Sequence, residues 1–239
     1  MRFSSPLPHC GSGLVAFEPS TFERFPVNAP ATIAPVTTQP HVVVFDIGHV
    51  LIDWDLRHLY ARLIDDPERL DWFLSTVVTK DWHFEHDAGK PFAQMVAERS
   101  ALFPDEAPLI EAYAARWLDS LPGPIPGTPA LVDRLAAKGV PLYAITNFGD
   151  EAFELFRPTF PVLGHMRDIV VSGVEKLVKP GEEIFALSAR RFGHAPGEML
   201  FVDDNAANIA TAQRLGWHTH HFVGGAQALE ADLVERGLL

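Results

Sequence analysis

The sequence predicts an α/β fold, a doubly wound parallel sheet with a helical insert after its first strand. Three observations carry this. Residues 41–55, HVVVFDIGHVLIDWD, open on a β-branched apolar run that reads as a strand buried on both faces, as strands of parallel sheets are. From Gly127 to Val223 short apolar runs alternate with helical patterns, which implies right-handed βαβ units. Between these two stretches, residues 56–121 carry only helical spacing.

The bulk numbers narrow the class. At 239 residues and 47% hydrophobic, the chain suffices for one domain with a large insert or for two small domains. A net charge of −12 argues against a nucleic-acid or anionic-membrane surface, while leaving small anions open. No apolar stretch reaches the ~18 residues of a membrane span. The single cysteine, Cys10, rules out an internal disulfide framework and a CxxC metal site. The expected protein is globular and cytoplasmic, and nothing in the sequence encodes its oligomeric state.

Residues 1–40 stand apart, with seven prolines from Pro6 to Pro40 and no helical or alternating period. They predict a disordered or loosely packed extension, and Leu14 to Phe17 is too short for a secretory h-region. The first strand follows, and the insert then predicts four helices. Leu56, Leu59, Tyr60 and Leu63 mark the first, and Pro67 opens the second. The third spans residues 92–102 and the fourth residues 107–121. Pro122-Gly123-Pro124 and Pro126-Gly127 read as a hinge-like return. Thr128-Pro129 then caps and opens a helix that stops at Gly139. Strands are predicted over 140–146, 168–172, 199–203 and 217–223, with helices over 150–156, 181–192 and 205–215 between them. The core is therefore expected over 41–55 and 122–239, and the insert over 56–121.

Polar residues fall at the ends of these strands: Asp46, then Thr146-Asn147, then Lys179 in the loop VKP, then Asp203-Asp204. In a parallel sheet all strand ends point one way, so these groups can converge on one crevice. Asp46, Asp203 and Asp204 form a hard oxygen set suited to Mg²⁺, which takes one or two carboxylates plus waters and substrate oxygens. Thr146 and Lys179 offer a hydroxyl and a cation for phosphate oxygens. Each pair also has an ordinary reading: Thr146-Asn147 as a helix cap, Lys179 as a solvated loop lysine, Asp203-Asp204 as capping carboxylates. Their common position at successive strand ends is what the ordinary readings explain poorly.

This arrangement resembles the haloacid dehalogenase-like (HAD) hydrolase superfamily, with FDIGHVLIDWD, AITN, VKP and FVDDNAAN as its four motifs over residues 41–225. The resemblance implies a Rossmann-like core with a C1-type cap. The sub-pattern is similar to α-D-glucose-1-phosphatase-like members, whose first motif also has Gly two residues after the nucleophile. It implies a phosphatase acting on a small phosphorylated metabolite, with Asp46 as nucleophile forming an aspartyl-phosphate. Thr146 and Asn147 would bind the phosphoryl group, and Lys179 would offset its charge. Mg²⁺ would be held by Asp46, the Gly48 carbonyl and Asp204, with Asp203 acting through water.

One departure stands out. Most phosphatases of this family carry a second Asp, the general acid/base, where this chain has Gly48. His49 is adjacent and is a candidate replacement, alongside a structural role in the turn. In the insert, Trp82-His83-Phe84-Glu85-His86-Asp87 is rich in aromatics and imidazoles. Trp82 and His83 are candidates for substrate selection if this segment faces Asp46, with core packing as the alternative. Three rival functions follow. A 2-haloacid dehalogenase would carry uncharged serine-like residues at Asp203-Asp204. A response-regulator receiver would place its acidic pair after the first strand. A catalytically weak HAD-fold binding protein is kept open by Gly48.

Overall fold

The computed structural model describes residues 39–239. All but the last two residues of the proline-rich segment 1–40, and with them its expected disorder, lie outside the described residues.

In chain order the elements begin with β1 (Val42–Phe45) and β2 (Ile52–Asp53), then the insert: α1 (Leu56–Tyr60), α2 (Pro67–Thr76), α3 (Lys80–Asp87), α4 (Phe92–Leu102) and α5 (Ala107–Ala115). The chain returns through β3 (Gly123–Pro124) to α6 (Thr128–Ala137), β4 (Leu142–Thr146), α7 (Asp150–Phe156), β5 (Asp168–Val171) and α8 (Ser172–Glu175). It ends with α9 (Glu182–Phe192), β6 (Met199–Asp203), α10 (Ala206–Arg214), β7 (His218–His221) and α11 (Gly225–Glu235).

Five strands form a parallel sheet in the order β5-β4-β1-β6-β7. The strand order turns at β1, with β4 and β5 added on one side and β6 and β7 on the other. That turning point opens a crevice at the strand ends. Successive side chains alternate between faces. Val43, Phe45, Leu142, Ala144, Leu200 and Val202 thus pack with α6, α7 and α11. Val42, Val44, Tyr143, Ile145, Met199 and Phe201 pack with α9 and α10. Burial on both faces explains why β1, β4 and β6 read as unbroken apolar runs.

β2 and β3 pair antiparallel, Ile52 with Pro124 and Asp53 with Gly123. This short ribbon ties the chain leaving the core to the chain returning, so the predicted hinge is a paired one. The core layer containing Val43 and Phe45 continues into the insert through Tyr60, Phe73, Met95, Ile110 and Tyr113, all fully buried.

The insert holds five helices where the sequence predicts four. The added one is α3, KDWHFEHD, in which aromatics and charges interleave without a dominant apolar stripe. Its start is marked by Thr79, whose hydroxyl accepts from the Trp82 N–H at 3.1 Å. The stretch 107–121 divides into α5 and a 3₁₀ turn over Trp117–Ser120. The N-cap of α6 is Gly127, at φ 88°, rather than Thr128. The C-terminal α11 was absent from the sequence expectation.

Candidate active site

Register assembles the site. Phe45 pairs with Ala144 on one side and Val202 on the other, so the next residue, Asp46, emerges level with Ile145 and Asp203. Its backbone N–H donates to Val202 O at 2.8 Å, which fixes that height. The Asp46 carboxylate accepts from the Ile47 N–H at 2.6 Å through Oδ1 and lies 2.9 Å from Lys179 Nζ through Oδ2. The same ammonium donates to Asp203 Oδ2 at 2.7 Å and to Ile145 O at 3.0 Å. Lys179 is only 2% exposed, which removes the solvated-lysine reading.

Carboxylate oxygens of Asp46, Asp203 and Asp204 lie within 4.8 Å of one another. Three carboxylates face one ammonium, so the cluster has excess negative charge in a buried place. Burial works against the Lys179 charge, but Asp203 and Asp46 outweigh it and hold the ammonium protonated. Burial raises the Asp46 carboxyl to about 7 against the pull of Lys179, with Asp203 adding to the rise. Asp204 is raised too, by burial and then by Asp203. An all-oxygen, over-negative cluster fits Mg²⁺. Asp203 is fully spent on the protein: Oδ1 accepts from the Asn205 N–H at 2.8 Å and from Asn208 Nδ2 at 3.0 Å, while Oδ2 takes Lys179. Its bonds leave Asp46 and Asp204 as the direct ligand candidates.

Thr146 ends β4, next to Ile145 whose carbonyl accepts from Lys179 Nζ; it is not among the residues that line the cavity, and its buried Oγ1 has no hydrogen-bond partner among the described residues. A buried hydroxyl without a partner is costly unless a ligand completes it. It does not cap α7, whose N-cap is Gly149. The Asn147 side chain lines the cavity but is bound to the loop of Lys179: Nδ2 donates to Lys179 O at 2.9 Å, and Lys179 N donates to Oδ1 at 2.8 Å.

The strand ends open into a cavity of about 500 Å³ between core and insert. Asp46, Gly48, His49, Lys179 and Asp204 line its floor, and Trp54, His83, Phe84, Asp87, Trp117 and Phe148 line the rest. Among the described residues a Cβ added at Gly48 would meet nothing within 4 Å, so their packing does not exclude a side chain there. His49 holds φ 55° and sets its ring edge-on to Trp54, centroids 5.9 Å apart. Trp54 stacks in turn on His83 at 4.6 Å. Trp82 is a correction to the sequence expectation. It turns into the insert interior against Tyr113, 4.6 Å between centroids, under the Arg99 guanidinium, and not toward the cavity. The α3 helix shows His83 and Asp87, four residues apart, on its cavity face.

The insert approaches the core closely at Gly149. A Cβ there would lie 2.0 Å from His86 Cδ2, so glycine is what lets α3 sit against the loop after β4. Sequence reasoning missed Trp54, Asp87 and Asn208 as site residues. Asp87 has a signal, since it ends the aromatic- and imidazole-rich stretch of the insert, whereas Trp54 lies in the first motif.

A family model described as haloacid dehalogenase-like hydrolase matches residues 40–216. The chain belongs to this family. The hydrolase is 28% identical over 188 residues to hexitol phosphatase A of Escherichia coli K12, covering 73% of this chain and 79% of that protein. It is 24% identical over 198 residues to acyl-CoA dehydrogenase family member 10 of mouse, where it spans 74% of this chain but 17% of the mouse protein. Among solved structures, a HAD-like hydrolase of Porphyromonas gingivalis superposes with a TM-score of 0.62 at 22% identity, over 82% of this chain and 98% of that one. A HAD family enzyme of Bacteroides thetaiotaomicron, in complex with magnesium and inorganic phosphate, gives 0.56 at 21%, over 74% and 91%. The L-2-haloacid dehalogenase of Xanthobacter autotrophicus, with chloropropionic acid covalently bound, gives 0.56 at 16%, over 84% of each chain. These likenesses establish the shared fold. Among the described residues no helix is long and apolar enough to cross a membrane.

Proposed function

We propose that this hydrolase is a Mg²⁺-dependent phosphatase that takes a small phosphorylated metabolite, a sugar or polyol phosphate, through an aspartyl-phosphate on Asp46. The observation that carries this reading is the trio of carboxylates, Asp46, Asp203 and Asp204, with oxygens within 4.8 Å of one another around the Lys179 ammonium. A metal-free dehalogenase has no use for Asp204 in such a cluster. The likeness to hexitol phosphatase A supports a polyol phosphate as the first substrate to try.

In this reading residues 56–121 act as a cap that closes the cavity over the strand ends. The Asp46 carboxylate, oriented by the Ile47 N–H and Lys179, attacks phosphorus in line with the departing oxygen. The Thr146 hydroxyl donates to a phosphoryl oxygen, which completes an otherwise unpartnered group. Lys179 offsets charge on the nucleophile and the phosphoryl group, and Asp203 with Asn208 holds that lysine in place. Asn147 fixes the Lys179 backbone and thereby its reach. Mg²⁺ would be held by Asp46, Asp204 and the Gly48 carbonyl, with Asp203 through water. Bound there, it supplies the positive charge that lets a carboxylate approach an anionic substrate. The aromatic wall of Trp54, Phe84, Trp117 and Phe148 keeps bulk water from the reacting phosphorus.

The test is phosphate release across sugar phosphates, polyol phosphates, nucleotides and glycolytic acids, with and without Mg²⁺. Asp46→Asn serves as control, and chloride release from 2-chloropropionate is assayed in parallel. Mg²⁺-dependent phosphate release that Asp46→Asn abolishes supports the reading; chloride release in its place supports the dehalogenase. Gly48 favours one further reading, a HAD-fold protein that binds a phosphorylated ligand without turnover, which the same panel separates.

A further inference from the structure

After the nucleophile, Gly48 stands where a carboxylic acid would, and the His49 ring beside it packs edge-on to Trp54. The insert's lining of the cavity carries such an acid. We propose that Asp87, at the end of α3 in the insert, is the catalytic general acid that protonates the leaving-group oxygen. This rests on the phosphatase reading above.

Among the described residues three acidic ones line the cavity: Asp46, Asp204 and Asp87. The first two belong to the carboxylate cluster on the core side. Asp87 comes from the insert, and in-line attack by Asp46 drives the leaving oxygen away from the strand ends, toward that side. Its carboxyl is nearly buried, at 8% exposure, and it is held on several sides. From its own helix, His83 Nε2 stands 3.5 Å from Oδ2, and His86 is nearby. The Gly149 N–H, in the loop after β4, and the Lys179 ammonium, in the loop after α8, both favour the charged carboxylate, against its burial. From α8, Ser172 Oγ donates to the Asp87 backbone carbonyl at 2.6 Å. Tyr113 of α5 acts one step back, its hydroxyl 2.6 Å from His83 Nδ1.

These surroundings set the proton. Burial raises the Asp87 carboxyl to about 7, so it can enter the reaction protonated near neutrality. Burial also holds His83 down at about 3, so the neighbouring imidazole is neutral and leaves the acid role to the carboxyl. The step balances. As Asp46 bonds to phosphorus, the bond from phosphorus to the leaving oxygen breaks and that oxygen takes the Asp87 proton, releasing an alcohol. Water then attacks the aspartyl-phosphate at phosphorus and gives a proton to the Asp87 carboxylate, and the bond from Asp46 to phosphorus breaks. One water is consumed and Asp87 returns protonated.

The experiment compares two leaving groups, the fastest sugar or polyol phosphate of the panel and p-nitrophenyl phosphate, whose nitrophenolate departs without a proton. In Asp87→Asn, kcat/KM for the sugar or polyol phosphate falls about 10²- to 10⁴-fold, while p-nitrophenyl phosphate changes only a few-fold. In the wild type, kcat/KM for the sugar or polyol phosphate declines above about pH 7, and p-nitrophenyl phosphate lacks that decline. The wild-type profiles need no variant, so a fold defect in Asp87→Asn leaves them decisive. Equal losses on both substrates in a folded variant, or matching wild-type profiles, overturn the assignment of Asp87 alone. Absence of Mg²⁺-dependent release from either substrate by the wild type overturns the phosphatase reading and this assignment with it.

Discussion

Asn147 and Lys179, 32 residues apart, exchange two hydrogen bonds: the side-chain amide gives Nδ2–H to Lys179 O at 2.9 Å and takes Lys179 N–H at Oδ1 at 2.8 Å. The loop carrying the ammonium is thereby fastened to the end of β4. In the phosphatase reading Asn147 is then a positioning residue, where the family resemblance implies a phosphate contact.

Asn147→Ala is therefore expected to unpair two backbone groups of the Lys179 loop, costing about 1–3 kcal/mol of stability. Turnover should fall at least about tenfold from misplacement of Lys179. Chemical denaturation alongside steady-state kinetics checks both. A variant of wild-type stability and rate would mean the loop holds itself.

Removing the ammonium has a different signature. Lys179→Met leaves Asp46 and Asp203 facing each other in a buried site, with loss of about 3–5 kcal/mol expected. Mg²⁺ should restore more stability to this variant than to the wild type, because the cluster is then more negative. Denaturation midpoints with and without Mg²⁺ test this, and an unchanged midpoint would argue that Lys179 contributes no net charge to the cluster.

Asp204 is the ligand candidate with an open side, since Asp203 is consumed by Asn205, Asn208 and Lys179. Mg²⁺ should raise the wild-type Tm through preferential binding to the folded state, and Asp204→Asn should remove most of that rise. Calorimetric titration with Mg²⁺ alone gives the same answer without any substrate. Undiminished Mg²⁺ binding in Asp204→Asn would place the ion elsewhere.

Stability should also depend on pH through Asp87. Its folded pKa of about 7 lies above the ordinary carboxyl value of 3.8, so the folded state holds a proton that the unfolded state has released. The contribution is fully present below about pH 4 and is lost as pH rises toward 7. Asp87→Asn removes that dependence, so its stability relative to the wild type should improve by about 2 kcal/mol between pH 5 and pH 8. Parallel urea melts at the two pH values read this, and a constant difference would contradict a raised pKa.

What the sequence made legible follows its periodicities. β1, β4 and β6 are buried on both faces, so they stand out as apolar runs, and the polar residues that end them could be read directly. Parallel pairing then sets Asp46 level with Asp203, and the loop fastened to Asn147 brings Lys179 against both. The α3 helix was hidden because its cavity face is built from His83 and Asp87 rather than from an apolar stripe. Trp82 was misplaced for a related reason: within KDWHFEHD no pattern says which aromatic faces inward. The ties that place α3, Ser172 to Asp87 across 85 residues and His86 against Gly149, are contacts that no local pattern encodes.

The central claim is that Asp46 carries the phosphoryl group, and trapping that intermediate tests it most directly. Enzyme turning over a phosphorylated substrate with Mg²⁺ is quenched in acid, digested and examined by mass spectrometry. One phosphoryl group on the peptide containing Asp46, absent in Asp46→Asn, is the predicted result. Continued phosphate release by Asp46→Asn, or a phosphoryl group found on another residue, would contradict it.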